Sequence, residues 1–190
     1  MLEFVKRYGY DVYSQNGEDG VIKECLSRMK IKKGVSIEFG AADGLYCSNT
    51  ANLEGWARHM YDIDPSGKVI RFLVTPANVN ELPECDLLSI DIDGNDYNVW
   101  AAYKGKPKIV IIEIHSGYAP DENIISSEGT SYSPMVALGI KKGYFLLCHT
   151  GNLIFIDTRY RKLFPEIHGD GLENSSEYFN KSWIKEYDNV

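Results

Sequence analysis

The chain has 190 residues, enough for one domain with a real core, and a formal net charge of -7. With 27 acidic against 20 basic residues it has no electrostatic footprint for nucleic acid, and no apolar run is long enough to span a bilayer. The cysteines Cys25, Cys47, Cys85 and Cys148 form no Cys-x-x-Cys pair, and the N-terminal MLEFVKRYGYDVY lacks the apolar core of a signal peptide. A cytoplasmic protein with reduced thiols is expected, not membrane-bound, with no nucleic-acid partner.

In chain order, the segment 13–29 places Val21, Ile22, Cys25, Leu26 and Met29 at helical spacing, with Asn16 and Asp19 as a helix start. Gln15, just before it, is either a ligand contact or a polar turn residue. Val35–Phe39 is a short apolar run between Gly34 and Gly40, the pattern of a buried strand entering a tight turn. The turn, Gly40-Ala41-Ala42-Asp43-Gly44, has small residues that let a ligand approach the backbone. Ser48 and Asn49 then predict helix caps for a helix through Leu53. Strand, glycine turn and helix form the nucleotide-binding corner of an α/β sheet.

The middle glycine of the dehydrogenase fingerprint is missing here. Glu38 at the strand end would repel a pyrophosphate but suits a cationic ligand or a ribose. That points to S-adenosylmethionine, which carries an ammonium and a sulfonium. The competing reading is a strand, turn and helix serving packing alone.

Arg58 to Pro65 predicts a second strand ending in acids. Asp62 or its rival Asp64 is placed to accept hydrogen bonds from ribose hydroxyls. Only Ser66-Gly67 then precedes the apolar run Lys68–Val74, too few residues for an ordinary parallel crossover. An antiparallel hairpin, or a strand outside the sheet, is expected there. Thr75-Pro76 opens a short helix through Leu82.

Asp86–Ile92 and Lys108–Ile114 predict two buried strands, with a helix over Tyr97–Tyr103 between them, capped by Asn95 or Asp96. The first ends in Asp91, Asp93 and Asp96, and the second in Glu113 and His115. If the second strand continues, alternation turns Glu113 and His115 to one face. The polar segment 116–132 is a functional or mobile loop. Ser133-Pro134 starts a helix ended by Gly143. Tyr144–Thr150, Gly151-Asn152 and Leu153–Asp157 predict a β-hairpin. The whole chain, 1–190, is expected to be one domain with its core over about 13–157. The tail, 158–190, is polar, with a helix around Glu177–Tyr187.

The segments Tyr13-Ser-Gln-Asn-Gly-Glu-Asp19, Glu38–Gly44 with Ser48-Asn49-Thr50, and Asp86-Leu-Leu-Ser-Ile-Asp91 together resemble the FkbM-like group of class I S-adenosylmethionine-dependent methyltransferases. The resemblance implies a Rossmann-like α/β fold, with a mostly parallel sheet and a terminal antiparallel hairpin. It also implies methylation of hydroxyls on sugars or natural products. On it, Gln15, Glu38, Gly40, Ala41, Asp43, Gly44, Asn49, Asp62, Asp64 and Asp91 are the candidate cofactor contacts. Family members carry a helix where this chain has Ser66-Gly67. Asp93-Gly-Asn-Asp96-Tyr97 is also similar to the acidic segment of metal-dependent sugar O-methyltransferases. That similarity makes Asp93 and Glu113 candidate ligands for magnesium or manganese, with Ile114 where those enzymes have a second acid.

Methyl transfer needs an acceptor hydroxyl stripped of its proton by a base or acidified by a metal. His115, Asp91 and Asp93 are the candidate bases, with His115 favoured because it titrates near neutrality. The plain alternative is that acids at strand ends serve as helix caps, which suits Asp96. Two other classes remain. Asp91-Ile92-Asp93 is an Asp-x-Asp triplet, as in metal-dependent glycosyltransferases, and a non-catalytic relative could keep the pocket without the chemistry. The acceptor is expected to be a small molecule or glycan.

Overall fold

The structure, a computed structural model, describes residues 2–181. Helices α1 (Leu2–Tyr8) and α2 (Glu18–Met29) precede strands β1 (Val35–Phe39), β2 (Ala57–Asp62), β3 (Ile70–Arg71) and β4 (Leu87–Ile90). Helix α3 (Asp96–Ala102) leads to β5 (Ile109–Glu113), and a small hairpin, β6 (Ile125–Ser126) and β7 (Gly129–Thr130), leads to α4 (Tyr132–Lys141). Strands β8 (Tyr144–His149) and β9 (Asn152–Asp157) and the short helix α5 (Ser175–Tyr178) complete the order.

The main sheet has seven strands in the order β3-β2-β1-β4-β5-β9-β8. The pairs from β3 to β5 are parallel, and β9 runs antiparallel between β5 and β8. This is an α/β architecture compatible with a Rossmann-like fold. Strands β4 and β8 are buried at every position, so they read as continuous apolar runs rather than alternating ones. Both faces are covered. Trp100 of α3 packs on Tyr144 and Phe155, and Gly139 of α4 lies against Phe155 too closely for a side chain. On the other face Phe145 meets Phe164, which also contacts Phe4 of α1 and Arg28 of α2. Among the described residues no helix is long and apolar enough to cross a membrane.

Several expectations are corrected. No helix follows the Gly40 turn: residues 45–56 form successive tight turns. The cause is Glu38, whose carboxylate accepts from the Ser48 hydroxyl (2.7 Å), the Asn49 N–H (2.7 Å) and the Thr50 hydroxyl (2.6 Å). Those bonds hold the chain against β1 where a helix would have to start. Ser48 still caps, but caps a turn, accepting from the N–H groups of Thr50 and Ala51.

Strand β3 is parallel to β2, neither a hairpin nor outside the sheet. A helix is unnecessary because β3 pairs only with Tyr61 and Asp62, the end of β2. The chain retraces two residues rather than a whole strand, which the short Ile63–Val69 connection can do. The Thr75 helix shrinks to a 3₁₀ turn at Val79–Glu81. Asn16 does not cap α2. Gly17 takes that place in a left-handed conformation, and Asp19 folds back to accept from the N–H groups of Val12, Tyr13 and Ser14.

The core extends beyond 13–157 at both ends, because Phe4, Phe164, Ile167, Tyr178 and Phe179 are buried in it. In the tail, α5 ends at an extended Phe179, and the part of the expected 177–187 helix from 182 onward lies outside the described residues.

Candidate active site

Strand β1 sits between β2 and β4, so the chain builds outward from β1 through β2 to β3 and then crosses back to add β4 and β5 on the other side. That is the switch point where open α/β sheets bind ligands, beyond the carboxyl ends of the strands. A cavity of about 570 Å³ lies there. Its floor is Glu38 and the Gly40–Ala42 turn. One end is Tyr61, Asp62, Ile63, Phe72 and Leu73, and the other is Asp91, Asp93 and Asn95. Ile63 and Leu73 are 63 % and 60 % exposed, an apolar slot open to solvent beside a carboxylate. The lining holds four acids and no Lys, Arg or His.

Backbone strain concentrates here. Ala42, Cys47 and Asp93 have φ of 47°, 55° and 53°, in the left-handed region that side chains disfavour, and all three line this cavity.

A second, polar cavity of about 270 Å³ adjoins it, lined by Asn16, Glu18, Asn49, Glu113, Ser116 and Asn152 among others. Gln15, Cys47 and Asp91 line both cavities. The carboxylate oxygens of Asp91, Asp93 and Glu113 come within 4.8 Å of one another. Burial and then the neighbouring acids push Asp91 up to about 6. The same causes, burial and then Asp91, Asp96 and Asp93, push Glu113 up to about 9. Without a cation the pair holds a proton between them. An oxygen-only trio of this kind is suited to a hard divalent ion. Asp96 is not part of it: its carboxylate accepts from the N–H groups of Ile92 and Gly94 and shapes the loop that carries Asp93.

The sequence candidates divide. Gln15, Glu38, Gly40, Ala41, Asp62, Asp91 and Asp93 line the larger cavity. Asn49 and Glu113 line the polar one. Asp43 and Gly44 line neither. The Asp43 carboxylate is exposed and turned onto the N–H groups of Leu45 and Tyr46, which lowers its pKa. Gly44 lies against Met60 and gives its carbonyl to Arg58. Asp64 is exposed, paired with Arg71 at 2.9 Å and outside the lining, whereas Asp62 accepts from the Ala42 N–H at 2.8 Å inside it.

His115 does not share the rim with Gly40. Strand β5 stops at Glu113, and the His115 N–H turns to the Thr130 carbonyl while its ring stacks on Tyr118 at 4.0 Å. It faces a separate cavity of about 210 Å³ with Asp93, Glu113 and Glu128, beneath the β6–β7 hairpin. Residues that sequence reasoning missed include Tyr46, Cys47, Ile63, Phe72 and Leu73. The one legible signal was Ile63, an apolar residue between two acids at a strand end. Comparison of the chain with models of known protein families, with curated proteins and with solved structures gave no match.

Proposed function

We propose that the chain is an S-adenosylmethionine-dependent O-methyltransferase that acts on a hydroxyl of a sugar or glycan with the help of magnesium or manganese. The observation that carries this is the charge and shape of the larger cavity. Four acids with no Lys, Arg or His in the lining, of which Glu38 is paired with Arg58 at 3.7 Å, suit a ligand bearing an ammonium and a sulfonium, and the apolar slot suits its flat base. Asp62 would take the ribose hydroxyls, and Ile63, Phe72 and Leu73 the adenine. The reversed β9 beside β5 supports the same reading, because the resemblance implies a reversed last strand.

Asp91, Asp93 and Glu113 would hold the divalent ion, which when bound would lower the pKa of an acceptor hydroxyl. Asp91 alone of the three lines both the larger cavity and the polar one, so its free oxygen is the one placed to take the hydroxyl proton. This role passes to Asp91 from His115. A metal-dependent glycosyltransferase is the second reading, favoured by the approach of Asp91 to Asp93. Against it, neither cavity offers a Lys or Arg to a diphosphate.

Calorimetry with S-adenosylhomocysteine tests the proposal. Wild type should bind one equivalent, and Leu73→Glu, at an exposed position, should bind roughly tenfold or more weakly through loss of the apolar wall. Equal affinity of the two proteins would remove the slot from the site.

A further inference from the structure

The polar cavity has a second neighbour. An open groove of about 540 Å³ is lined by Val12, Tyr13, Leu45 and Tyr46, and it too is bounded by Gln15 and Cys47. Those two residues therefore stand where three spaces meet. Val12, Leu45 and Tyr46 are 56 %, 52 % and 76 % exposed, a local concentration of apolar surface at the mouth of an acidic site. The interior differs sharply. Beyond Gln15 and Cys47 the walls are amides and hydroxyls (Asn16, Asn49, Ser116, Asn152) with the carboxylates of Glu18, Asp91 and Glu113, and no Lys, Arg or His. Glu18 is buried and held fixed, accepting from the Thr150 hydroxyl at 2.7 Å and the Asn16 N–H at 2.8 Å.

We propose that the polar cavity and the Tyr13–Tyr46 groove together form the acceptor site, and that its occupant is an uncharged or amine-bearing polyhydroxy group carried on an apolar body. This rests on the methyltransferase reading for the assignment of the larger cavity to the cofactor. About 270 Å³ takes one sugar-sized head, and the side-chain amides of Gln15, Asn16, Asn49 and Asn152 supply donors and acceptors for several of its hydroxyls. The apolar body lies along the groove, where a tyrosine ring gives contact area at low conformational cost. Acidic heads are excluded by the walls. A carboxylate or phosphate would meet Glu18 with no cation to pair with, and a divalent ion on Asp91, Asp93 and Glu113 cancels only part of the charge there.

The test uses octyl glycosides with gluco, galacto, manno and 2-amino-2-deoxygluco heads, octyl glucuronide and the free sugars. Each is titrated into the full chain with S-adenosylhomocysteine present, after binding of that cofactor product has been measured alone. At least one neutral or amino glycoside should bind. The glucuronide should bind roughly tenfold or more weakly, the order of one poorly screened like-charge contact. Glu18→Gln should narrow that gap. Leu45→Ser, at a residue that lines the groove alone, should weaken the octyl glycoside and leave the free sugar unchanged. Equal affinity for glucoside and glucuronide overturns the inference. So does a Leu45→Ser variant that binds the octyl glycoside like wild type, or binding of none of the neutral heads to a protein that has bound S-adenosylhomocysteine. Failure to bind S-adenosylhomocysteine, with the glycoside pattern intact, counts against the cofactor reading instead.

Discussion

Gly40 lies directly against the carbonyl oxygen of Asp91. With φ at 72°, any Cβ built there would overlap that oxygen. The turn after β1 and the end of β4 are thus locked together through a residue with no side chain, and this contact sets the cavity floor. Gly40→Ala should destabilise the protein by about 2–5 kcal/mol, from left-handed backbone strain plus overpacking. Thermal unfolding measures it, and a melting temperature unchanged from wild type would show that the turn can yield. Substitution at Gly40 is accordingly a test of folding and a poor test of ligand binding.

Asp62 and Asp64 are two residues apart and are expected to behave oppositely. Asp64→Ala removes an exposed ion pair and should leave S-adenosylhomocysteine affinity within about twofold. Asp62→Ala should weaken it roughly 10- to 100-fold, the size of a hydrogen bond to a charged group. Calorimetry on both variants decides, and the reverse order would move the ribose to Asp64.

Proton and metal compete for the Asp91–Glu113 pair. Because Asp91 is pushed up to about 6 and Glu113 to about 9, both lose protons as pH rises over that range. Manganese affinity should therefore increase from pH 6 to pH 9, and Asp93→Asn should weaken it at every pH. Turnover should vanish with a chelator and return with magnesium or manganese. Full turnover in excess chelator would take the metal out of the reaction.

His149 carries a stability switch behind the wall of the polar cavity, where Ser116 and Gly151 line it. It is buried, accepts from the Asn180 N–H at Nδ1 (3.2 Å), stacks on Phe179 and pairs with the Ser116 hydroxyl at Nε2 (2.9 Å). With Nδ1 accepting, Nε2 holds the proton, and Ser116 passes its own to the Gly151 carbonyl at 3.0 Å. Burial lowers its pKa from 6.5 to about 4. Between these values the unfolded chain binds the proton and the folded chain does not. Stability is therefore complete above pH 6.5, falls as pH drops, and is lost by about 3 kcal/mol below pH 4. Denaturant unfolding from pH 7 to 4 checks this against His149→Gln, whose profile should be flatter over that window.

For His115 we expect a bystander's profile. Its cavity also holds Asp93 and Glu113, but His115 lines neither the larger cavity nor the polar one, so His115→Ala should keep turnover within a few-fold. Asp91→Asn should lose on the order of 10²–10⁴-fold, the usual contribution of a positioned base. A loss of that size at His115 would return the base to the residue that strand alternation first suggested.

What the sequence revealed, and what it hid, has a physical pattern. Strands β1, β4 and β5 and the β8–β9 hairpin were readable because burial on both faces writes continuous apolar runs, whereas the half-exposed β2 was readable from the acids that follow it. The rim residues Glu38, Gly40, Asp62 and Asp91 were readable because they end those strands. The 45–56 turns were not, because their conformation depends on a carboxylate seven or more residues away that captures three successive donors. The parallel β2–β3 pair was hidden by its shortness, since the usual crossover length assumes a full strand to retrace. His115 shares a cavity with Asp93 and Glu113 as expected but not with Gly40, because alternation holds only while the strand lasts. The pocket's apolar wall, Phe72 and Leu73, carries no periodic signature at all.

The most direct measurement is a paired calorimetric titration of the wild-type chain, with S-adenosylhomocysteine in one cell and uridine diphosphate plus manganese in the other. The methyltransferase account predicts one equivalent of S-adenosylhomocysteine bound and no heat from the nucleotide. Binding of uridine diphosphate with manganese, and none of S-adenosylhomocysteine, would contradict it and make the Asp91–Asp93 pair a glycosyltransferase site.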